Sequence, residues 1–307
     1  MVDPLFLDFK ENCLDDGPGI RTVIFFKGCN LSCRWCHNPE AINPRPALSF
    51  DADVCVGCHQ CATVCPEPGA ISITTSERIN RDRCTLCFEC TKTCPSGALS
   101  RVGVGLTTNE IIERVCRDRA FFDASGGGVT LSGGEATIYM QHAGEIASRL
   151  HHQGIDVLLQ TAGHFHIEKF SQQLEPYLNT IYFDLKLIDD RAHRLYCGRS
   201  NERILENFRI LATDSRKRRP HFLPRVTLVP EITSTIENLE AVAELLVECS
   251  IRTTQLLEYN PMWPQKSARI GRANEMNATN NRWLSPEEVA ACHAVFHERG
   301  ISTSAST

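Results

Sequence analysis

The placement of its cysteines constrains this chain more than any other feature of the sequence. Eleven of the 16 cysteines lie between positions 29 and 94, in three tight groups. The first residues show no signal-peptide pattern, so we expect a cytoplasmic protein, in which clustered cysteines bind metal rather than form disulfides. The other five are Cys13, Cys116, Cys197, Cys249 and Cys292. We expect these five to be buried, unreactive thiols.

Two of the groups repeat the pattern C-x2-C-x2-C-x3-C followed by proline. The first group is Cys55, Cys58, Cys61 and Cys65, and the second is Cys84, Cys87, Cys90 and Cys94. The run resembles that of bacterial ferredoxins, in which the fourth cysteine binds the other cluster. We therefore predict one [4Fe-4S] cluster on Cys55, Cys58, Cys61 and Cys94, and a second on Cys84, Cys87, Cys90 and Cys65. Zinc is the alternative, but it favours two CxxC pairs with a long gap between them.

The third group, Cys29, Cys33 and Cys36, has the spacing C-x3-C-x2-C and no nearby fourth cysteine. A cluster held by three thiolates keeps one iron open, as a catalytic zinc keeps a position for substrate. The apolar run at residues 23–26 favours a strand directly before this group. The cysteines then lie on a loop at the carboxyl end of a strand, where the active sites of barrel enzymes are found.

With Trp35 before its last cysteine, this group resembles the CxxxCxΦC motif of the radical S-adenosylmethionine (SAM) superfamily. The flanking residues 16–22 (DGPGIRT) and 36–40 (CHNPE) narrow the resemblance to the activating enzymes of glycyl-radical enzymes. The resemblance covers nearly the whole chain. It implies a radical SAM partial (β/α)6 barrel, TIM-like, with an inserted α+β domain like a bacterial ferredoxin. It also implies SAM and three [4Fe-4S] clusters, with SAM bound at the three-cysteine site.

The resemblance further implies a reaction. SAM is cleaved reductively to methionine and a 5′-deoxyadenosyl radical, which abstracts a hydrogen from a backbone glycine of a partner glycyl-radical enzyme. The insert favours a lyase, dehydratase, decarboxylase or radical-addition enzyme as that partner, and a flavodoxin or ferredoxin-type protein as electron donor. Asp16 is our candidate for holding the partner's loop, and we expect a monomer.

Two other functions are open alternatives. A radical SAM enzyme acting on a small molecule would share the cysteine motif, but it has no reason to carry DGPGIRT or the insert. A ferredoxin fused to an inert barrel would leave the three-cysteine site unexplained.

Several residues around SAM are implied by the same resemblance. Gly133, Gly134 and Glu135 resemble the GGE motif that binds the SAM amino group, although Ala136 replaces the usual proline. Trp35 belongs to the same predicted SAM site.

The ends of later strands add three more candidates. Asp184 and Lys186 resemble the acid and base of a DLK motif that borders SAM, and an ion pair at a buried edge is an equal alternative. Arg225 resembles an arginine near the SAM carboxylate. Gln160 stands where the family often has an acidic residue, which weakens a monovalent-cation site.

Apolar runs and capping patterns predict the fold around these motifs. Strand-like runs occur at residues 23–26, 129–131, 155–159, 180–183, 222–229 and 254–257. Helical stretches separate them, so the sequence predicts six βα units and a parallel sheet. Helices are predicted to begin after Thr107 and Ser285, each followed three residues later by glutamate. The predicted domains are the barrel, 1–48 and 100–307, and the insert, 49–99.

Charge and hydropathy exclude two other classes of partner. The net charge of -5 gives no basic field for nucleic acid or an anionic membrane. The basic run at residues 216–219 is typical of a solvated loop. No stretch approaches the ~18 apolar residues of a membrane-spanning helix.

Overall fold

The computed structural model describes residues 3–73, 78–213, 220–273, 276–277 and 279–305. The strands in these ranges are β1 (Leu5–Cys13), β2 (Arg21–Lys27), β3 (Ala47–Phe50), β4 (Leu99–Val102), β5 (Val104–Gly105), β6 (Gly128–Gly133), β7 (Asp156–Thr161), β8 (Thr180–Leu185), β9 (His221–Leu228), β10 (Thr253–Glu258) and β11 (Ser302–Ala305). The basic run at residues 216–219 lies outside the described residues.

Helices occupy most of the connections between these strands. The α-helices are α1 (Gln60–Val64), α2 (Glu89–Lys92), α3 (Thr108–Cys116), α4 (Arg119–Ser125), α5 (Met140–His152), α6 (Ile167–Gln173), α7 (Asp190–Cys197), α8 (Glu202–Thr213), α9 (Ile236–Glu248), α10 (Pro264–Arg269) and α11 (Pro286–His297). Short 3₁₀ turns span Pro39–Ala41, Ala136–Tyr139 and Glu175–Tyr177. In the described part of the chain, no helix is both long and apolar enough to cross a membrane.

One mixed sheet organises the larger part of the molecule. Its strand order is β11-β10-β9-β8-β7-β6-β2-β1-β5. In this order, each pair of neighbours from β11 through to β2 is parallel, whereas β1 runs antiparallel to both β2 and β5. The mixed α/β class with a parallel sheet is confirmed, and each of the six predicted runs overlaps a strand. Because those strands share one direction, their carboxyl ends meet at one edge of the sheet.

The two predicted helix starts are correct. Thr107 and Ser285 each accept a hydrogen bond from the backbone N–H of the glutamate three residues later, and that glutamate bonds back to the cap. Helix α3 then turns Ile111, Ile112 and Val115 into the core. The strands β1, β5 and β11, which extend the sheet at its two edges, were not predicted.

Arg21 fixes the loop before β2 to the rest of the sheet. Its fully buried guanidinium donates to the Val129 carbonyl (2.7 Å) and the Thr130 hydroxyl (2.7 Å), and it pairs with Asp156 (2.8 Å). It also donates to the carbonyl of Pro18 (3.2 Å). A buried cation is stable only when its donors are satisfied. The partners of Arg21 therefore connect residues 16–19, which we call the DGPG loop, to β6 and β7.

The residues of the predicted insert are flanked by a separate two-stranded sheet and contain a separate apolar cluster. Strands β3 and β4 pair antiparallel, apart from the large sheet. The side chains that form the separate cluster are Leu48, Ile79, Cys90 and Leu99. The predicted domain boundaries fall inside β3 and β4, so both strands connect residues 49–99 to the part of the chain that forms the large sheet.

We predict that Gly127→Ala destabilises the fold strongly. A Cβ at Gly127 would lie 1.8 Å from the Ile20 carbonyl oxygen, so the DGPG loop and the start of β6 would have to separate. The expected loss is about 3 kcal/mol or more in the free energy of unfolding. Gly300→Ala is the control, because a Cβ there meets nothing within 4 Å and costs only the strain of φ +68°, about 1 kcal/mol. Unfolding midpoints of the anaerobically purified proteins test this, and equal losses would contradict it.

Candidate active site and cysteine-lined cavities

The three-cysteine loop, residues 28–36, follows β2 at the carboxyl edge of the sheet. Two neighbouring segments hold its backbone. The N–H of Cys29 donates to the Ile42 carbonyl (3.0 Å), and the N–H of Ser32 donates to the Cys197 carbonyl at the end of α7 (2.9 Å). The loop is therefore fixed by backbone contacts on both sides, which leaves its thiols to face inward.

The loop borders a cavity of about 1540 Å³ at this edge. The sequence-predicted residues that line it are Asp16, Cys29, Cys33, Trp35, Cys36, Gly133, Gly134, Glu135, Asp184, Lys186 and Arg225. They come from the ends of β2, β6, β8 and β9 and from the DGPG loop. The structure thus brings together all residues predicted for the SAM site.

Gly133 and Gly134 lie where two backbone segments pass too close to each other for a side chain to fit. A Cβ at Gly133 would lie 2.3 Å from the Phe26 nitrogen, and a Cβ at Gly134 would lie 2.1 Å from the Gly28 carbonyl oxygen. The N–H of Gly134 donates to the Phe26 carbonyl (2.8 Å), and the N–H of Glu135 donates to Gly28 (2.8 Å). The two glycines therefore let the end of β6 lie directly against the start of the three-cysteine loop.

Glu135 is buried, and its carboxylate is engaged within the protein. One oxygen accepts from Thr137 through both its N–H (3.2 Å) and its hydroxyl (2.7 Å), and from the Thr161 hydroxyl (2.9 Å). The other oxygen accepts from the Ala162 N–H (2.9 Å). Burial nevertheless raises the pKa of Glu135. The side chain therefore connects the turn that follows Gly133 and Gly134 to the end of β7.

Charged side chains on β8 and β9 face the three-cysteine loop. Asp184 and Arg225 form an ion pair of 2.8 Å on adjacent strands, so the ion-pair alternative holds for Asp184 while both side chains still line the cavity. Burial would lower the pKa of Lys186, but the Cys33 thiolate and Asp184 outweigh it and raise that pKa. A cation thus stands beside the cysteines.

Asp16 connects the DGPG loop to β7. Its carboxylate accepts from the Gln160 amide (3.1 Å), and Gln160 in turn accepts from the Ser132 hydroxyl (2.7 Å). Its backbone carbonyl accepts from Thr130 (2.8 Å). Thr130 therefore holds the backbone of Asp16 at the cavity, and Gln160 holds its carboxylate.

Cys197 is buried, as expected, and it also lies beside a predicted site residue. It is fully buried at the end of α7, and its interaction with Cys33 lowers the pKa of that thiol. Burial raises the pKa of Cys29 and of Cys36. Cys116 differs from expectation, because it is half-buried and bonds Gln153 (3.1 Å).

His37 is a cavity residue that the sequence reasoning missed. It lines the cavity and lies 5.7 Å from the Tyr259 ring, centroid to centroid. Burial lowers its pKa. Its place directly after Cys36 was the one signal that could have found it.

The eight cysteines of the insert line two further cavities of nearly equal size. The first, about 330 Å³, is lined by Cys55, Cys58, Cys61 and Cys94. The second, about 320 Å³, is lined by Cys65, Cys84, Cys87 and Cys90. Within the described residues, no group of three or more histidine, cysteine, aspartate or glutamate side chains is placed to hold a single metal ion.

The backbone of both cysteine runs curls in the same way. Gly57 and His59 in the first run have φ values of +68° and +60°, and Leu86 and Phe88 in the second have +57° and +62°. Left-handed residues are uncommon when they are not glycine. Their recurrence on either side of the second cysteine turns successive thiols toward the same cavity in each run.

Comparison with known proteins identifies relatives along the whole chain. The family described as a 4Fe-4S single cluster domain matches residues 15–204. The (2S)-3-sulfopropanediol dehydratase activating enzyme of Klebsiella oxytoca is 30% identical over 97% of this chain and 95% of its own length. The isethionate sulfite-lyase activating enzyme of Oleidesulfovibrio alaskensis is 36% identical over 88% of this chain and 87% of its own.

Among solved structures, a domain of pyruvate-formate lyase-activating enzyme from Bacteroides vulgatus is similar with a TM-score of 0.48. It is 22% identical and covers 59% of this chain and 100% of that one.

We predict that Glu135→Ala lowers thermal stability and distorts the cavity. The change leaves the buried donors of Thr137, Thr161 and Ala162 without an acceptor, an expected loss of about 3 kcal/mol or more. Glu110→Ala is the control, because it removes a glutamate whose capping hydrogen bonds lie at the surface and should cost much less. Thermal midpoints of the two variants provide the measurement, and a smaller loss for Glu135→Ala would contradict the role of Glu135 in connecting the turn to β7.

Proposed function

The chain belongs to the activating enzymes of glycyl-radical enzymes, which are radical SAM oxidoreductases, and from this premise we propose its reaction and the residues that carry it. It cleaves SAM reductively to methionine and a 5′-deoxyadenosyl radical, which abstracts a hydrogen from a backbone glycine of a partner glycyl-radical enzyme. One observation supports this site above all: the three-cysteine loop, the glycine pair and the charged residues of β8 and β9 line one cavity.

The donor set fits a [4Fe-4S] cluster with one open iron. When bound at Cys29, Cys33 and Cys36, such a cluster supplies one electron and a position for the amine and carboxylate of SAM. The chain supplies the surroundings. Lys186 offsets the negative charge of the thiolates, and Arg225, oriented by Asp184, presents a cation to the SAM carboxylate.

The rest of the SAM site follows from the turn after β6. Gly133 and Gly134 place backbone next to the three-cysteine loop and line the cavity, where we assign them to the amino group of SAM. Glu135 acts on this turn through its hydrogen bonds to Thr137, Thr161 and Ala162, so we assign it a positioning role. Trp35, which is 4% exposed, belongs to the apolar core and lines the cavity, where its ring excludes water.

The parallel strands β2, β6, β7, β8, β9 and β10 are proposed to form the partial (β/α)6 barrel. Their order along the sheet follows their order along the chain, as in a (β/α) barrel. Residues 49–99 are proposed as the inserted ferredoxin-like domain, with β3 and β4 at its base.

Two more [4Fe-4S] clusters are proposed for this insert, with the crossed ligand pairing of bacterial ferredoxins. The two four-cysteine cavities support the pairing, because each contains three cysteines of one run and the last cysteine of the other. A small domain with four core side chains depends on such groups for its stability. The expected iron content is therefore about twelve per chain.

The partner is proposed to be a glycyl-radical enzyme of the lyase, dehydratase, decarboxylase or radical-addition type. Its loop reaches the cavity beside Asp16, which accepts a backbone N–H from it. Glycine suits this position because it lacks a side chain and tolerates unusual backbone conformations. A flavodoxin or ferredoxin-type protein supplies the electron, and the chain acts as a cytoplasmic monomer.

We predict that the cysteine groups differ in what they do for SAM cleavage. Changing Cys29, Cys33 or Cys36 to alanine should abolish cleavage, because no open iron then remains. Changing Cys58 or Cys87 should leave measurable cleavage when a strong chemical reductant is supplied. Formation of 5′-deoxyadenosine is measured anaerobically, together with iron content.

Cys116→Ala is the matched control, because this thiol lies outside all three motifs and should keep full iron and full activity. Far-UV circular dichroism identifies variants that have lost the fold. A folded Cys58 or Cys87 variant without any cleavage would contradict this division.

We predict that Asp16→Ala impairs activation of the partner more than SAM binding. Electron paramagnetic resonance after anaerobic incubation with the partner should show a glycyl doublet for the intact chain, weakened about tenfold for Asp16→Ala. Asp16→Asn should recover part of the signal, because its amide oxygen still accepts hydrogen bonds. The doublet must vanish when the partner's glycine is changed to alanine. Steady turnover of a small metabolite, with no radical on any partner, would instead favour the small-molecule alternative.

A further inference from the structure

A second large groove, of about 2120 Å³, lies on the outer side of the three-cysteine loop. Its lining includes one carboxylate, Asp3, and five exposed cations. These five residues define what we call the basic groove: Arg45, Arg101, Lys169, Arg199 and Arg203. Arg45 lies just before β3, Arg101 is in β4, and Lys169 is in α6. Arg199 lies between α7 and α8, and Arg203 is at the start of α8. Residues that are distant in sequence therefore concentrate positive charge on one surface of a chain whose net charge is -5.

The cations of the basic groove differ from arginines elsewhere on the surface. Outside the groove, exposed arginines commonly pair with carboxylates of the chain, as Arg117 does with Glu113, and Arg209 with Glu248. Within the described residues, none of the five groove cations forms an ion pair.

Two of the groove cations influence the neighbouring His164. Burial lowers the pKa of the neighbouring His164, and the positive charges of Arg199 and Arg203 lower it further. Uncompensated like charges in one groove indicate that the anion belongs to another molecule.

The basic groove lies directly behind the three-cysteine site. Asn30 lines the groove, while its neighbours Cys29 and Leu31 line the SAM cavity. The Asn30 amide donates to the His164 carbonyl (2.7 Å), so a hydrogen-bonded pair forms the wall between the two spaces. One residue of backbone thus separates the groove from a cluster ligand.

The opposite flank of the groove reaches the insert. The guanidinium of Arg101 lies over the Phe88 ring, 4.8 Å from its centroid. Phe88 also lines the cavity of Cys65, Cys84, Cys87 and Cys90. The basic groove is therefore bordered on both sides by walls of cysteine-lined cavities.

We propose that the basic groove docks an acidic, low-potential electron-carrier protein, which reduces the cluster of the three-cysteine site. The proposal rests on the proposed function, since SAM cleavage needs one electron. In this step the carrier is oxidised by one electron and the cluster is reduced by one, and no covalent bond forms or breaks. An acidic segment of the glycyl-radical partner fits the groove less well. The loop at Cys29 stands between the groove and the cavity that its glycine must reach, and Asp16 does not line the groove.

The test compares charge reversals inside and outside the groove. Arg203→Glu changes one groove cation, and Arg252→Glu makes the same change at an exposed residue that does not line the groove. SAM cleavage is driven either by a reduced flavodoxin, which is acidic, or by reduced methyl viologen, a small cation that needs no basic surface. The rate of 5′-deoxyadenosine formation is followed at low and high ionic strength.

Arg203→Glu should lower flavodoxin-driven kcat/KM about tenfold at low salt, and Arg199→Glu/Arg203→Glu should lower it further. The difference should shrink near 1 M salt, where charges are screened beyond roughly 3 Å. Rates with methyl viologen, and the electron paramagnetic resonance spectrum of the reduced cluster, should match those of the unaltered chain.

Equal effects of Arg203→Glu and Arg252→Glu, or no effect of either, would overturn the proposal. So would a variant that keeps its flavodoxin-driven rate and loses only activation of the glycyl partner, because the groove would then bind that partner. If the unaltered chain cleaves no SAM with either reductant, the proposed function itself fails. Normal cleavage with methyl viologen separates that failure from a failure of the docking proposal.

Discussion

The buried carboxylate of Glu135 joins three parts of the active site. Its hydrogen bonds reach the turn after β6 and the end of β7, while its own backbone N–H binds the loop after β2 at Gly28 (2.8 Å). The ends of three parallel strands are thus fixed to one another at a single residue. Because the three-cysteine loop starts at this junction, the position of its thiols depends on a residue whose side chain need not touch a substrate. Four hydrogen bonds offset much of the cost of burying this acid.

Local sequence patterns were sufficient wherever spacing alone dictates the chemistry. The cysteines that the ferredoxin-like runs predict as ligands of one cluster line one cavity in the structure, including Cys65 and Cys94, which are exchanged between the two runs; cluster binding itself stays a prediction. Six apolar runs predicted the parallel strands, since buried strands of such sheets are continuously apolar. Two capping boxes predicted helix starts for the same local reason. Each of these signals lies within a few residues of the structure that it specifies.

Features created by distant contacts were not predictable in this way. Arg21 reads as one cation in a motif, yet its partners are Asp156 and the backbone of β6, more than 100 residues away. Cys197 resembles any other isolated thiol until α7 places it against Cys33. Edge strands such as β11 carry polar residues and a weak apolar pattern. The basic groove could not be predicted from the sequence either, because the net charge is negative and the groove cations come from four separate segments.

A short segment around α10 links the insert to the three-cysteine loop. Arg269 pairs with Asp51 at the base of the insert (2.6 Å), and its carbonyl accepts from Arg81, three residues before the second cysteine run (2.9 Å). A few residues later, Arg272 donates to the carbonyl of Cys33 (3.4 Å). The insert and the loop therefore share one support, although they belong to separate apolar clusters. The segment that holds the eight cysteines of the insert is thereby connected to the loop that borders the candidate active-site cavity. Loss of structure in the insert would remove the contacts of Arg269 with Asp51 and Arg81, and with them part of the support that the same segment gives the three-cysteine loop through Arg272.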